Sequence, residues 1–143
     1  MDPGYVASAN AHFEAAGREV PKASVFEPEI VRRLALIYRD HPEYMVAFRN
    51  ADPVHIFPRI RSMAPPKYPF FARLRNLRST VAVAFVVDEQ GRVLDPRVFE
   101  SQDSRFDDNA IDAVAQWSFV PGTISGDPAK YGLIVPIVFA GTK

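Results

Sequence analysis

Val81-Ala82-Val83-Ala84-Phe85-Val86-Val87-Asp88-Glu89-Gln90-Gly91-Arg92-Val93 is the stretch on which the reading of the fold turns. Val81, Val83, Phe85 and Val87 alternate with Ala82, Ala84 and Val86, the period of a strand with one strongly apolar face. Asp88-Glu89-Gln90-Gly91 supplies a turn, since Gly91 takes positive φ without steric cost. Val93 to Glu100 returns as a second strand, and Pro96 within it points to an edge or a bulge.

Downstream, Ser104 followed by Asp107 approximates a capping box. The helix it opens places Phe106, Ala110, Ala113, Val114 and Trp117 on one face. Asp107, Asp108, Asp112 and Gln116 fall largely on the other, and acidic residues in a first turn suit the helix dipole. Pro121-Gly122 ends this unit, and Gly126-Asp127-Pro128 marks a further turn. Leu133, Val135, Ile137 and Phe139 then alternate with Ile134, Pro136 and Val138, a last strand apolar on both sides. Upstream, Tyr68-Pro69 before Phe70 to Leu74 reads as a short helix with Pro69 in its first turn. The order strand, strand, helix, strand gives an α+β two-layer sandwich.

The rest of the chain reads differently. Residues 1–50 form a helical N-terminal extension, expected to be an accessory unit and not part of the sheet. Tyr5, Ala9, Phe13 and Ala16 recur at helical spacing, and Gly17 offers a stop. Pro28 suits the first turn of a second helix with the apolar stripe Ile30, Leu34, Ile37 and Tyr38. Residues 43–49 fit a helix or a strand equally. Residues 51–66 are a proline-containing connector, and 67–143 make the main domain.

A chain of 143 residues with 48% hydrophobic content can bury a core of its own. Zero formal net charge argues against a nucleic-acid partner. Cysteine is absent, which removes disulfides and thiolate chemistry. No apolar run approaches the ~18 residues of a membrane span, and Met1-Asp2-Pro3-Gly4-Tyr5 lacks the features of a signal peptide. His12, His41 and His55 are too scattered for a metal site. Ser101, Asp103 and Ser104 look like a catalytic cluster only superficially, with no histidine after His55. No catalytic residue, metal or cofactor is expected. Between Asp52 and Asp88 every charge is basic: Arg59, Arg61, Lys67, Arg73, Arg75 and Arg78. Acidic residues dominate from Asp88 to Asp112. The favoured reading is that the two segments compensate each other in the fold or are solvated; the other is an anionic partner for the basic stretch.

Tyr68-Pro69, Val81-x-Val83-x-Phe85, Asp88 to Val93 and Trp117-x-Phe119-x-Pro121, in that order, resemble the C-terminal domain of TonB-family energy transducers over about residues 52–143. One departure is visible: family members usually carry a Gly close to a Glu-Gly pair before the first strand, where this chain reads Asn76-Leu77-Arg78-Ser79-Thr80. The resemblance implies a three-stranded antiparallel sheet whose third strand lies beside the first and forms an edge. It also implies a periplasmic interaction domain, inner-membrane anchored in the full-length protein. Such a domain couples a proton-driven inner-membrane complex to an outer-membrane receptor by adding the receptor's TonB box as a strand. The edge residues would be Leu133, Ile134, Val135, Pro136, Ile137, Val138 and Phe139, with Arg73 and Arg75 as a secondary contact. An open edge can also pair with itself, giving a homodimer. The alternative function is a TolA-like structural scaffold without energy transduction.

Overall fold

The computed structural model describes residues 28–48 and 55–140. In chain order they form α1 (Pro28–Ile37), a 3-10 turn (Pro42–Tyr44), α2 (Met45–Phe48), β1 (His55–Ile56), β2 (Arg59–Ser62), α3 (Phe70–Arg75), β3 (Ser79–Val87), β4 (Val93–Ser101), a 3-10 turn (Ser104–Phe106), α4 (Asp107–Ala115), β5 (Ser118–Val120), β6 (Thr123–Ile124), β7 (Asp127–Pro128) and β8 (Tyr131–Phe139). The main sheet has the order β4-β3-β8 and is antiparallel throughout. The expected helix in residues 5–16 lies outside the described residues.

β3 and β8 pair without interruption from Ser79↔Phe139 to Val87↔Tyr131. Residues directly opposite share a face, so Val81, Val83 and Phe85 line up with Ile137, Val135 and Leu133. α4 covers this front face with Ala110 and Val114, joined by Phe106, Trp117 and Phe119 in one buried cluster. Trp117 is 3% exposed. Its ring meets Phe85 edge-on at 6.5 Å, and its Nε1 donates to the Ala64 carbonyl at 2.8 Å. The indole therefore fills the core and also fastens the lead-in segment to it.

β4 is the other edge strand, and its pairing with β3 shifts register twice. The second shift falls at Asp95-Pro96, between the pairs Ala84↔Arg97 and Val86↔Leu94, with Asp95 at φ 45°. Pro96 thus sits at a bulge on an edge strand, the two settings a proline tolerates.

Two local expectations are corrected, one open reading is settled and the connector gains detail. Asp103, not Ser104, caps the helical run: its carboxylate accepts the Arg105 amide at 3.0 Å, and Ser104 already lies within the 3-10 turn. Pro69 is the residue before α3, extended at φ −60° and ψ 144°. Residues 42–48 are helical. The connector carries strands: β2 pairs with β5, and β1 pairs with β6, which pairs with β7. At the corner where the family's usual glycine is missing, Asn76 takes the left-handed conformation at φ 53° and ends α3. Asparagine is the non-glycine residue best suited to that role.

Residues 28–48 do not stand apart from the sheet. Leu34, Tyr38, Met45, Ala47 and Phe48 form a second buried cluster with Ala84 and Val86 on the back face, flanked by Leu94, Phe99 and Ile134. Gly132 makes room for this: a Cβ there would collide with the Phe48 ring. The Tyr38 hydroxyl lies 3.0 Å from the Ala84 carbonyl and 2.6 Å from that of Asp95, a donor placed where Pro96 has none. Burial pushes the Tyr38 hydroxyl well above its ordinary pKa, so it stays a donor. Outside the cluster, the Arg97 guanidinium takes both Asp40 carboxylate oxygens at 2.7 and 3.0 Å, and Arg33 donates to the Phe99 carbonyl at 3.1 Å.

Among the described residues the basic segment is solvated, which is one form of the favoured reading. Among the described residues no ion pair joins the basic 59–78 stretch to the acidic one. Asp88 and Asp103 pair with Arg92 and Arg105 of their own segment, while Asp40 reaches across to Arg97. Lys67, Arg75 and Arg78 are exposed.

Trp117→Ala is expected to lower stability by about 3–5 kcal/mol, the usual range for truncating a buried Trp, read as the shift in urea midpoint. A chain beginning at His55 loses the cover over Ala84, Val86 and Ile134. It should unfold at a clearly lower urea concentration than the full chain.

Candidate functional site: the free edge of the sheet

β8 stands last in the sheet order, so its outer side is unpaired among the described residues. Which backbone groups face outward follows from one residue. Pro136 lies opposite Ala82. In an antiparallel ladder, hydrogen-bonded and non-hydrogen-bonded pairs alternate, and a proline fits only the second kind when the ladder is intact. Ile134 and Val138 share that parity, so their N–H and C=O groups point away from β3. The same alternation turns the Ala84 carbonyl, opposite Ile134, toward β4, where the Tyr38 hydroxyl meets it.

The predicted edge residues divide by face. Leu133, Val135, Ile137 and Phe139 pack into the front core. Ile134 joins the back-face cluster, and Pro136 and Val138 are half-buried beyond it. No charged residue occurs from Tyr131 to Phe139, so the charge that commonly guards an open edge is missing. Arg75 is exposed at the end of α3, as are Phe70 and Leu74 of the same helix; the Arg73 side chain lies outside the described residues. Sequence reasoning missed Tyr131, Gly132 and the Phe48 contact. A lone glycine inside an apolar strand was the available signal, since it marks a close approach by another group.

The hairpin turn holds β3 and β4 together at the end where β8 begins. Asp88 is buried, and its Oδ1 accepts the amides of Gln90 and Arg92 at 2.9 and 2.8 Å while Oδ2 takes Arg92 Nε at 3.1 Å. Gly91, at φ 83°, passes so close to the Phe119 backbone that a Cβ would collide with it, and the Phe119 amide donates to the Gly91 carbonyl at 2.8 Å. Burial by itself raises the Asp88 pKa. The Arg92 and Gln90 amides and the Arg92 guanidinium outweigh it and hold the carboxyl below its ordinary value. Lys130, one residue before β8, pairs with Glu89 of the turn at 3.1 Å.

Other groups that could carry chemistry have structural partners. Ser101 Oγ donates to Asp107 at 2.5 Å, and His41 Nδ1 lies 2.9 Å from Glu43. Glu43 raises the His41 pKa, as do Asp40 and Asp95 nearby. Among the described residues no group of three or more potential ligands could hold a metal ion, and no helix is long and apolar enough to cross a membrane.

The arrangement of helix, hairpin, helix and edge strand has a match among known families. Residues 64–140, more than half of the chain, match the family model described as Gram-negative bacterial TonB protein C-terminal. The chain belongs to this family. It is 30% identical over 81 residues to Protein TonB of Vibrio cholerae, covering 56% of this chain and 33% of that protein. It is 40% identical over 65 residues to Protein TonB of Pseudomonas aeruginosa, covering 45% of this chain and 19% of that one. It spans about a third or less of the length of these curated relatives. The solution structure of the Pseudomonas aeruginosa TonB C-terminal domain superposes with a TM-score of 0.52 at 30% identity, over 60% of this chain and 88% of that one. A TonB C-terminal domain is a non-catalytic interaction module, and this chain is not an enzyme.

Because the folded-state pKa of Asp88 is depressed, its contribution is complete above the ordinary carboxylate value and is lost as pH falls through the folded value. Asp88→Asn should therefore be less stable than the native chain at pH 7, with the gap closing as the pH is lowered. Urea midpoints measured from pH 7 down to pH 3 check the sign.

Proposed function

We propose that this domain receives a short extended segment of an outer-membrane receptor, the TonB box, as a fourth strand on the outer side of β8. The observation that carries the reading is the free, uncharged edge from Leu133 to Phe139, last in its sheet, in a chain of the TonB C-terminal family. Ile134 and Val138 offer amide donors there, and Ile134, Pro136 and Val138 offer carbonyl acceptors. Main-chain pairing gives affinity without demanding one exact sequence. In this reading the domain works in the periplasm. Energy reaches it from a proton-driven inner-membrane complex through an inner-membrane anchor elsewhere in the full-length protein. Arg75, with Arg73, serves as a secondary contact that tunes salt dependence.

A synthetic peptide copying the N-terminal segment of a TonB-dependent receptor should bind weakly, because ordering a flexible segment offsets much of the gain. Amide shifts should concentrate at Ile134 to Ala140, and the Val138 amide should gain protection from exchange. Val138 lies opposite Thr80 in the same parity as Pro136. Val138→Pro accordingly removes an outward donor without breaking the ladder to β3. It is expected to weaken peptide binding about tenfold or more, since a donor lost from a short ladder is a large share of its affinity, with the urea midpoint little changed. Shifts clustering around Asp108 and Asp112 instead would sink the reading.

A further inference from the structure

How far along β8 a visiting strand can run depends on what surrounds the first residues of that strand. On the back face, α2 stands over β8: Phe48 is fully buried against Gly132, Met45 and Ala47 are buried with it, and Ile134 packs into the same cluster. At Tyr131 the Phe57 ring closes in at 5.3 Å between centroids, and Gly122 abuts the Tyr131 ring. Phe48 belongs to the back-face cluster, whereas Phe57 packs with Tyr131 and Ile124 in a separate one. Two different elements thus crowd the Tyr131–Gly132 end of β8.

Geometry extends that crowding beyond the sheet. A helix is about 10–12 Å across with its side chains, while neighbouring strands lie only about 4.8 Å apart. A helix seated on β8 is therefore broad enough to reach over the lane that an added strand would occupy beside Gly132 and Ile134. Farther along, Pro136 and Val138 are half-buried and outside the cluster under α2. The edge is narrow at one end and open at the other. α1 and α2 also lie outside residues 64–140, the part matched to the family, so the narrowing is supplied by this chain's own extension.

Resting on the strand-addition reading, we propose that α2 and the Phe57–Tyr131 contact form an end stop that sets the register of the added strand. The strand pairs along Ile134–Phe139 and ends before Gly132. Its chemistry follows from the two halves of the lane. It is an uncharged extended segment of about six residues, one for each position from Ile134 to Phe139. It carries a small side chain on the back face beside Ile134 and accepts bulky ones beside Pro136 and Val138.

A length series on the unmodified full chain tests this, using synthetic peptides of alternating threonine and valine, four, six and nine residues long. With an end stop, affinity rises from four to six residues and changes by less than about twofold from six to nine, under half a kcal/mol. Intermolecular nuclear Overhauser contacts should reach Ile134 and the Met45 or Ala47 side chains, with none to the Gly132 Hα. A further gain of about tenfold at nine residues, or contacts at Gly132 Hα, overturns the stop while leaving strand addition intact. Peptides that bind without moving any β8 signal overturn both.

Discussion

β3 has a strand on each edge and apolar cover on each face, and the other elements are arranged around that enclosure. Its backbone groups pair with β4 and β8, so its N–H and C=O groups can sit in the centre of the molecule without desolvation loss. Its odd-numbered side chains meet α4 and Trp117, while Ala84 and Val86 meet Tyr38 and Phe48. The small size of Ala84 and Gly132 lets the α1–α2 unit sit down on the sheet. Closing β3 in this way leaves β8 outermost in the sheet, paired on its β3 side alone among the described residues.

Polar groups in this fold close gaps that the chain's own irregularities create. The bulge at Asp95-Pro96 frees carbonyls, and Tyr38 supplies the proton. The hairpin turn leaves amides pointing inward, and Asp88 accepts two of them. Trp117 must bury an indole N–H, and the lead-in segment brings the Ala64 carbonyl to it. The ion pairs on the surface, such as Arg97 with Asp40, are partly exposed and add little each. The desolvated hydrogen bonds carry more, since leaving any one unpaired would be expensive.

The main sheet and α4 were legible because Val81 to Val87, Ala110 to Trp117 and Leu133 to Phe139 each repeat at one clean period. β1, β2 and β5 to β7 were not, because strands of two to four residues are too short to show a period at all. Asp103 and Ser104 are both good caps, and only the backbone geometry decides between them. Ile134, Pro136 and Val138 marked the last strand as apolar on both sides, but 81–87 read as a strand with one strongly apolar face, because Ala82 and Ala84 are too small to announce a second. What covers it could not be read, since the helical stripe of Leu34 and Tyr38 would suit any apolar surface. The β8 edge was legible as an uncharged segment, but its crowded end depends on where Phe48 and Phe57 arrive from distant positions.

That distant arrival bears on how the protein is made. Tyr38 and Phe48 leave the ribosome well before Ala84, and long before Gly132 and Ile134, the residues they pack against. During synthesis the α1 and α2 segment is too short to be stable alone, and its platform is complete only when β8, with Gly132 and Ile134, has joined the β3–β4 hairpin. Docking of residues 28–48 is accordingly a late event, dependent on contacts of large sequence separation, and such contacts slow folding. Until it occurs, Val86 and Ile134 stay uncovered on a sheet with an open edge. A chaperone that shields apolar strands would find its substrate in that interval, between closure of the front core and arrival of the back cover.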